Sequence, residues 1–208
     1  MSTENIKVIV RCRPLNKREI SFNAQNIIVV NSNVAQVIVN SPDKSQTANE
    51  EHIQQIFTFD KVFGTQSMNI DLFNQSFKPV VQAVTQGYNA CIFTYGQTGC
   101  GKTFTMSGEQ SDEGCISNSF DCIFDYISTI PNSVKIVLKA SYIEIHNEKI
   151  KDLVTNLNDL PVNESKELGI YVGNLSEHLC CTKTDLQKVR EDGYKNRNLQ
   201  WWALEMLF

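Results

Sequence analysis

The chain has 208 residues, of which 41% are hydrophobic and 20% charged, with a formal net charge of −4. That composition belongs to folded globular domains rather than to disordered chains, and the acidic balance argues against a nucleic-acid partner. No apolar run approaches the roughly 20 residues of a membrane-spanning helix, and Met-Ser-Thr-Glu-Asn at the start lacks the basic and apolar regions of a secretion signal, so no membrane partner is expected and the cytosol is the default compartment.

Alternating Ile6, Val8, Val10 and Cys12 predict a first strand, closed by Pro14. Ile27 to Val30 and Val34 to Val39 are β-branched runs separated by Asn31-Ser-Asn33, the pattern of a hairpin. Ser41 to Gln55 reads as a polar loop, followed by a short strand at Phe57-Thr-Phe59. From Asn69 to Gly87 the set Phe73, Phe77, Val80, Val81 and Val84 recurs at helical spacing, with Pro79 inside it as a source of a kink.

Asn89 to Tyr95 is an apolar, β-rich run that suits a buried strand, and it leads into Gly96-Gln-Thr-Gly-Cys-Gly-Lys-Thr103. This is the phosphate-binding pattern G-x-x-x-x-G-K-[ST]. The glycines let successive N–H groups turn toward an anion, Lys102 supplies positive charge to the β- and γ-phosphates, and the Thr103 hydroxyl is placed to ligate Mg²⁺. A chance match occurs in roughly one chain in a hundred of this length. The strand before it and a helix opening at Lys102-Thr-Phe-Thr-Met106 make chance a poorer account.

A second helix is expected over Ser117 to Ile130, with Phe120, Ile123, Phe124 and Ile127 as its core face. Val134 to Glu144 alternates like a long strand, and Leu168 to Val172 like another. Thr184-Asp-Leu-Gln187 has capping-box spacing and predicts a helix ending at Gly193. Strands interleaved with helices predict an α/β fold, a mixed sheet with helices on both faces. The seven cysteines include no C-x-x-C pair and read as small hydrophobes in a reducing compartment; Cys180-Cys181 lacks metal-ligand spacing. The three histidines are scattered and offer no local catalytic cluster.

Further segments join the loop in a fixed order. They are Arg11-Cys-Arg-Pro14, Phe57-Thr-Phe-Asp-Lys-Val-Phe63, Gly87-Tyr-Asn89, Ile92-Phe-Thr-Tyr-Gly-Gln-Thr98 and Gly101-Lys-Thr-Phe-Thr-Met106. Ser141-Tyr-Ile-Glu-Ile-His-Asn-Glu-Lys-Ile-Lys-Asp-Leu153 and Lys195-Asn-Arg197 follow. Together they resemble the motor domain of the kinesins, from about Ile6 to Arg197. Val10-Arg-Cys-Arg-Pro-Leu-Asn16, Asn118-Ser-Phe120 and Gly169-Ile-Tyr-Val172 look most like kinesin-2, the ciliary transport class.

The resemblance implies a P-loop NTPase fold, ATP and Mg²⁺ as ligands, a microtubule (tubulin) partner, and a place in the cytoplasm on the microtubule cytoskeleton, with the cilium as a further site. It assigns Gly96, Gln97, Thr98, Gly99, Cys100, Gly101, Lys102 and Thr103 to the phosphates, with Thr103 also on the metal. Arg11, Arg13 and Pro14 match the segment bordering the adenine, and Phe104 matches a position where a ring packs against the base. Read without the family, Arg11 and Pro14 are a strand end with a solvated charge.

The sequence departs from the family after Arg197. Switch I (Asn-x-x-Ser-Ser-Arg-Ser-His) and switch II (Asp-x-Ala-Gly-x-Glu) do not occur, so no catalytic residue is assigned. Residues 1–197 are therefore expected to be the N-terminal part of a motor domain, incomplete at its C-terminal end, and 198–208 an unrelated hydrophobic tail holding both tryptophans. A short genuine C-terminal helix is the alternative for that tail. In the family the P-loop strand lies mid-sheet, so lost neighbours would leave it with unpaired N–H and C=O groups. Two functions stay open: a microtubule motor ATPase represented by its N-terminal part, and a non-catalytic nucleotide-binding remnant or truncated gene product.

Overall fold

A computed structural model describes residues 6–41, 54–131 and 133–197. Most of the polar 41–55 loop and the whole of 198–208 lie outside the described residues. The chain divides into two compact units, one of residues 1–80 with 92–115 and one of 81–91 with 116–208.

In the first unit, β1 (Ile9–Arg11) pairs parallel with β5 (Lys61–Phe63), aligning Val10 with Val62. Val62 and Phe63 are buried and pack with Val37, Leu72 and Phe73 among the core residues. The anticipated hairpin is present as β2 (Ile28–Asn31) and β3 (Gln36–Asn40), and β4 (Gln54–Thr58) adds to it antiparallel. A capping box between Asn16 and Glu19 starts the short α1 (Lys17–Ser21).

The helix beginning at Asn69 is continuous but irregular. It runs as α2 (Asn69–Leu72), a π-helical turn (Phe73–Phe77) and α3 (Lys78–Thr85). The widened turn lies directly before Pro79, where Lys78 N–H bonds back to the Phe73 carbonyl. Proline has no N–H to give and its ring crowds the carbonyl four residues back, so the ladder shifts register there. After α4 (Lys102–Ser107), a small hairpin of β6 (Gly108–Glu109) and β7 (Asp112–Glu113) completes this unit.

The buried strand expected at Asn89–Tyr95 is not formed. The segment has no strand hydrogen bonding, Phe93 and Tyr95 are 78% and 95% exposed, and no strand pairs with it among the described residues. A central strand exists only through its two neighbours, and the apolar run cannot supply them itself. The described ladders are one three-stranded sheet and five two-stranded pieces.

In the second unit, α5 (Cys115–Thr129) carries Phe120, Ile123, Phe124 and Ile127 half-buried along one face, as its periodicity predicts. The long strand expected over Val134–Glu144 is reduced to β8 (Lys139–Ala140) and the start of β9 (Ile143–His146), with Val134 and Val137 exposed. Alternation alone does not make a strand where no partner lies alongside. β9 pairs with β10 (Lys149–Asp152), β11 (Val162–Ser165) with β12 (Gly169–Val172), and β13 (His178–Leu179) with β8.

The last helix, α6 (Lys183–Asn196), starts one turn-position earlier than Thr184 and ends later than Gly193. Its cap is Thr182, whose hydroxyl accepts from Asp185 N–H while the Asp185 carboxylate accepts from Thr182 and Cys181 N–H. Gly193 is not a stop, because it has a packing reason to be glycine: a Cβ there would lie 2.1 Å from Tyr142 Cδ1. Gly193→Ala should therefore cost about 1–3 kcal/mol through overpacking, whereas relief of glycine's helix penalty alone would gain about 1 kcal/mol. Urea unfolding of the two chains decides the sign.

Asp152 is the fully buried polar anchor of this unit. Its carboxylate accepts from the N–H groups of Val154, Thr155 and Ser176 at 2.8, 3.1 and 3.0 Å. Burial pushes this carboxyl up, but hydrogen bonds from Ser176, Thr155 and Val154 outweigh it and bring it down to about 2 from 3.8. A depressed carboxyl contributes stability above its unfolded value and loses it as pH falls through the folded one. Wild type should thus exceed Asp152→Asn in unfolding free energy near neutrality, and the gap should narrow as pH drops from about 4 toward about 2. An unchanged gap across that range would remove the carboxylate's role.

Candidate functional site

The Gly96–Thr103 loop and all the residues matched to it lie in the first unit. Gly96, Gly99 and Gly101 adopt φ of +154, +77 and +97°, and the last precedes α4 as its N-cap. The latter two φ values are left-handed and favour glycine. The space beside Gly99 and Gly101 is open, since nothing stands within 4 Å of where a Cβ would be. A Cβ at Gly96 would instead meet Cys100 Sγ at 2.4 Å, so that glycine lets the loop fold onto its own cysteine.

Lys102 closes the loop. Its ammonium donates to the carbonyls of Gly96 and Gln97, each at 2.8 Å. An ammonium carries three donors, so one remains for an anion, and two carbonyls that would repel phosphate are held to a cation instead. Thr103 is half-buried on the first turn of α4 and Thr98 is exposed at the loop's crest. Two left-handed glycines with open space beside them, a lysine tied across the loop and a hydroxyl next to it fit a polyphosphate with Mg²⁺.

The residues matched to the base are arranged differently from one another. The Arg11 guanidinium lies 4.9 Å over the Phe104 ring. Its Nη1 donates to Asn69 Oδ1 and to Thr105 Oγ1 (3.1 Å), and its Nη2 to the Ser67 carbonyl (2.7 Å). Burial pulls this guanidinium below its ordinary value, and the nearby Asp112 charge offsets part of that. Arg11 is thus neither solvated nor loose. Arg13 forms a bidentate pair with Glu19 at 2.7 Å on both oxygens. That side-chain bond raises Arg13 and, with the Asn16 backbone, holds the Glu19 carboxyl down at about 2. Pro14 is exposed, and its carbonyl accepts from Arg13 at 2.9 Å.

Sequence reasoning missed Asn69, Thr105 and Asp112, which surround Arg11. Asn69 is 2% exposed. The one available signal was its position, a short amide at the start of the helix before Phe73, where such residues satisfy N-terminal groups. No group of three or more His, Cys, Asp or Glu side chains among the described residues could hold a metal.

The model of the kinesin motor domain family matches residues 11–205. The kinesin-like protein KIF3C of Bos taurus is 35% identical over 201 residues. That match covers 94% of this chain and 25% of the bovine protein. A solved structure of a fast kinesin, described for its ATPase mechanism and its interactions with microtubules, superposes with a TM-score of 0.82 at 32% identity. It is covered over 53% of its length by 93% of this chain.

Proposed function

Because this chain belongs to the kinesin motor-domain family, we propose that it binds ATP with Mg²⁺ through Gly96–Thr103 and forms the nucleotide-binding part of a kinesin-type microtubule motor. The observation that carries the reading is the Lys102-tied loop with Gly99 and Gly101 facing open space. Lys102 binds and positions the β- and γ-phosphates, Gly99 and Gly101 bring backbone N–H groups within reach, and Thr103 orients the metal. Bound Mg²⁺ would neutralise charge on the terminal phosphates. Phe104 and Pro14 border the base. Arg13, occupied by Glu19, orients the segment that carries Pro14 rather than reaching for the ligand. The associated place in the cell is the cytoplasmic microtubule cytoskeleton, and the kinesin-2 likeness extends the proposal to cilia.

The family's catalysis is phosphoryl transfer, which depends on positioning and charge stabilisation. In the family resemblance that task falls to switch I and switch II, and neither pattern occurs in the 208 residues. A second reading is kept for these 208 residues: nucleotide binding without turnover. Microtubule contact is weakly provided for. Of Lys149, Lys151 and Lys166, the first pairs with Asp159 at 3.1 Å and the second donates to the Asn196 carbonyl at 3.0 Å, leaving Lys166 among acidic neighbours. Exposed pairs are each worth about 0–1 kcal/mol and are screened within about 8–10 Å, so little steering toward acidic tubulin remains.

Lys102→Ala is expected to abolish binding of a fluorescent ATP analogue while circular dichroism stays as in wild type. Equal titration curves for the two chains would refute the site. Phosphate release by the 208-residue chain should stay at background when microtubules are added, and the chain should not pellet with them at ordinary salt. A microtubule-dependent rise in phosphate release would reject the second reading in favour of a working motor.

A further inference from the structure

The phosphate end and the base end of the site are held by different side chains, with the helical bond from Thr105 N–H to the Gly101 carbonyl at 2.9 Å running between them. The phosphate loop is closed by its own lysine. Phe104 is held by Asn69. The Asn69 amide is fully used: Oδ1 accepts from Arg11, and Nδ2 donates to the Phe104 carbonyl at 3.1 Å and to the Asp112 carbonyl at 3.0 Å. Two carbonyls require the NH₂ on one side and the guanidinium requires an oxygen on the other, so the amide has a single satisfied orientation. Its backbone N–H is taken by both carboxylate oxygens of Asp112 at 3.0 Å.

The knot thereby fixes the backbone of Phe104 through Asn69 Nδ2 and one face of its ring through Arg11. The guanidinium cannot swing away, since Asn69, Thr105 and Ser67 all hold it. None of these contacts touches Gly96 to Lys102. We infer that Asn69, braced by Asp112, is a positioning residue for the purine base, setting the Arg11–Phe104 platform without contacting nucleotide and without shaping the phosphate cradle. The inference rests on the nucleotide-binding reading above.

The test compares ATP with inorganic tripolyphosphate, which carries the phosphates and no base, on the full 208-residue chain by calorimetry. For Asn69→Ala the ATP dissociation constant should rise on the order of tenfold, about 1.4 kcal/mol, while tripolyphosphate binding stays within about twofold. Lys102→Ala should lose both ligands. Asp112→Asn keeps an acceptor for the Asn69 N–H and should preserve the ATP-to-tripolyphosphate ratio better than Asp112→Ala. That pair carries the test if Asn69→Ala does not fold by circular dichroism. Parallel loss of both ligands in Asn69→Ala, or one common ratio across wild type and the two Asp112 variants, overturns the inference and leaves the nucleotide site standing. Failure of wild type to bind either ligand removes the nucleotide-binding reading and this inference with it.

Discussion

A buried amide that must satisfy one cation and two carbonyls is the constraint on which the first unit depends. Asn69 lies where the end of β1, the start of the irregular helix, the middle of α4 and the β6–β7 hairpin converge. Burying such a group unsatisfied costs about 1–3 kcal/mol, and a charged partner raises the stake. The geometry therefore tolerates few alternatives. Strand, helix and hairpin are either all in register with the amide or the polar cluster is left broken. This is how a short sequence distant from the phosphate loop takes part in placing Phe104.

The second unit uses the same logic with opposite charge. Asp152 gathers three backbone N–H groups from two loops into one carboxylate, and Asn196 on α6 donates to the Leu153 carbonyl at 2.8 Å beside it. α6 is further bound to α5 through Arg190 to Ser117 at 2.7 Å and through the Lys183–Asp121 ion pair. In each unit the irregular segments are held by one buried polar side chain, with the apolar core (Val62, Phe63 and Leu72; Ile150, Leu153 and Leu186) behind it.

Local signals were legible where they are local in origin. The phosphate loop, the first hairpin, α5 and the start of the long helix follow from glycine placement, β-branched runs and 3.6-residue periodicity. What depended on partners was not. Asn89–Tyr95 and Val134–Glu144 have strand composition, yet a ladder requires a neighbour that no pattern within the run encodes. Gly193 looked like a helix stop because its reason, the Tyr142 ring, lies some fifty positions away in the chain. At the site, the loop pattern was readable, but Arg11, read without the family resemblance, was only a charge at a strand end. Its true surroundings come from Asn69, Thr105 and Ser67, which no motif joins to it.

The run leading into the phosphate loop, unpaired among the described residues, has a consequence for the molecule in bulk. Cys91-Ile-Phe-Thr-Tyr95 combines β-branched and aromatic residues with no charge and no proline, and its outer rings stand in water. Such a segment is a template for strand addition by any like segment, including the same one from a second molecule. Whatever segment satisfies that backbone, whether a strand of the same fold or a neighbouring copy, also determines how firmly Gly96 is held at the mouth of the loop.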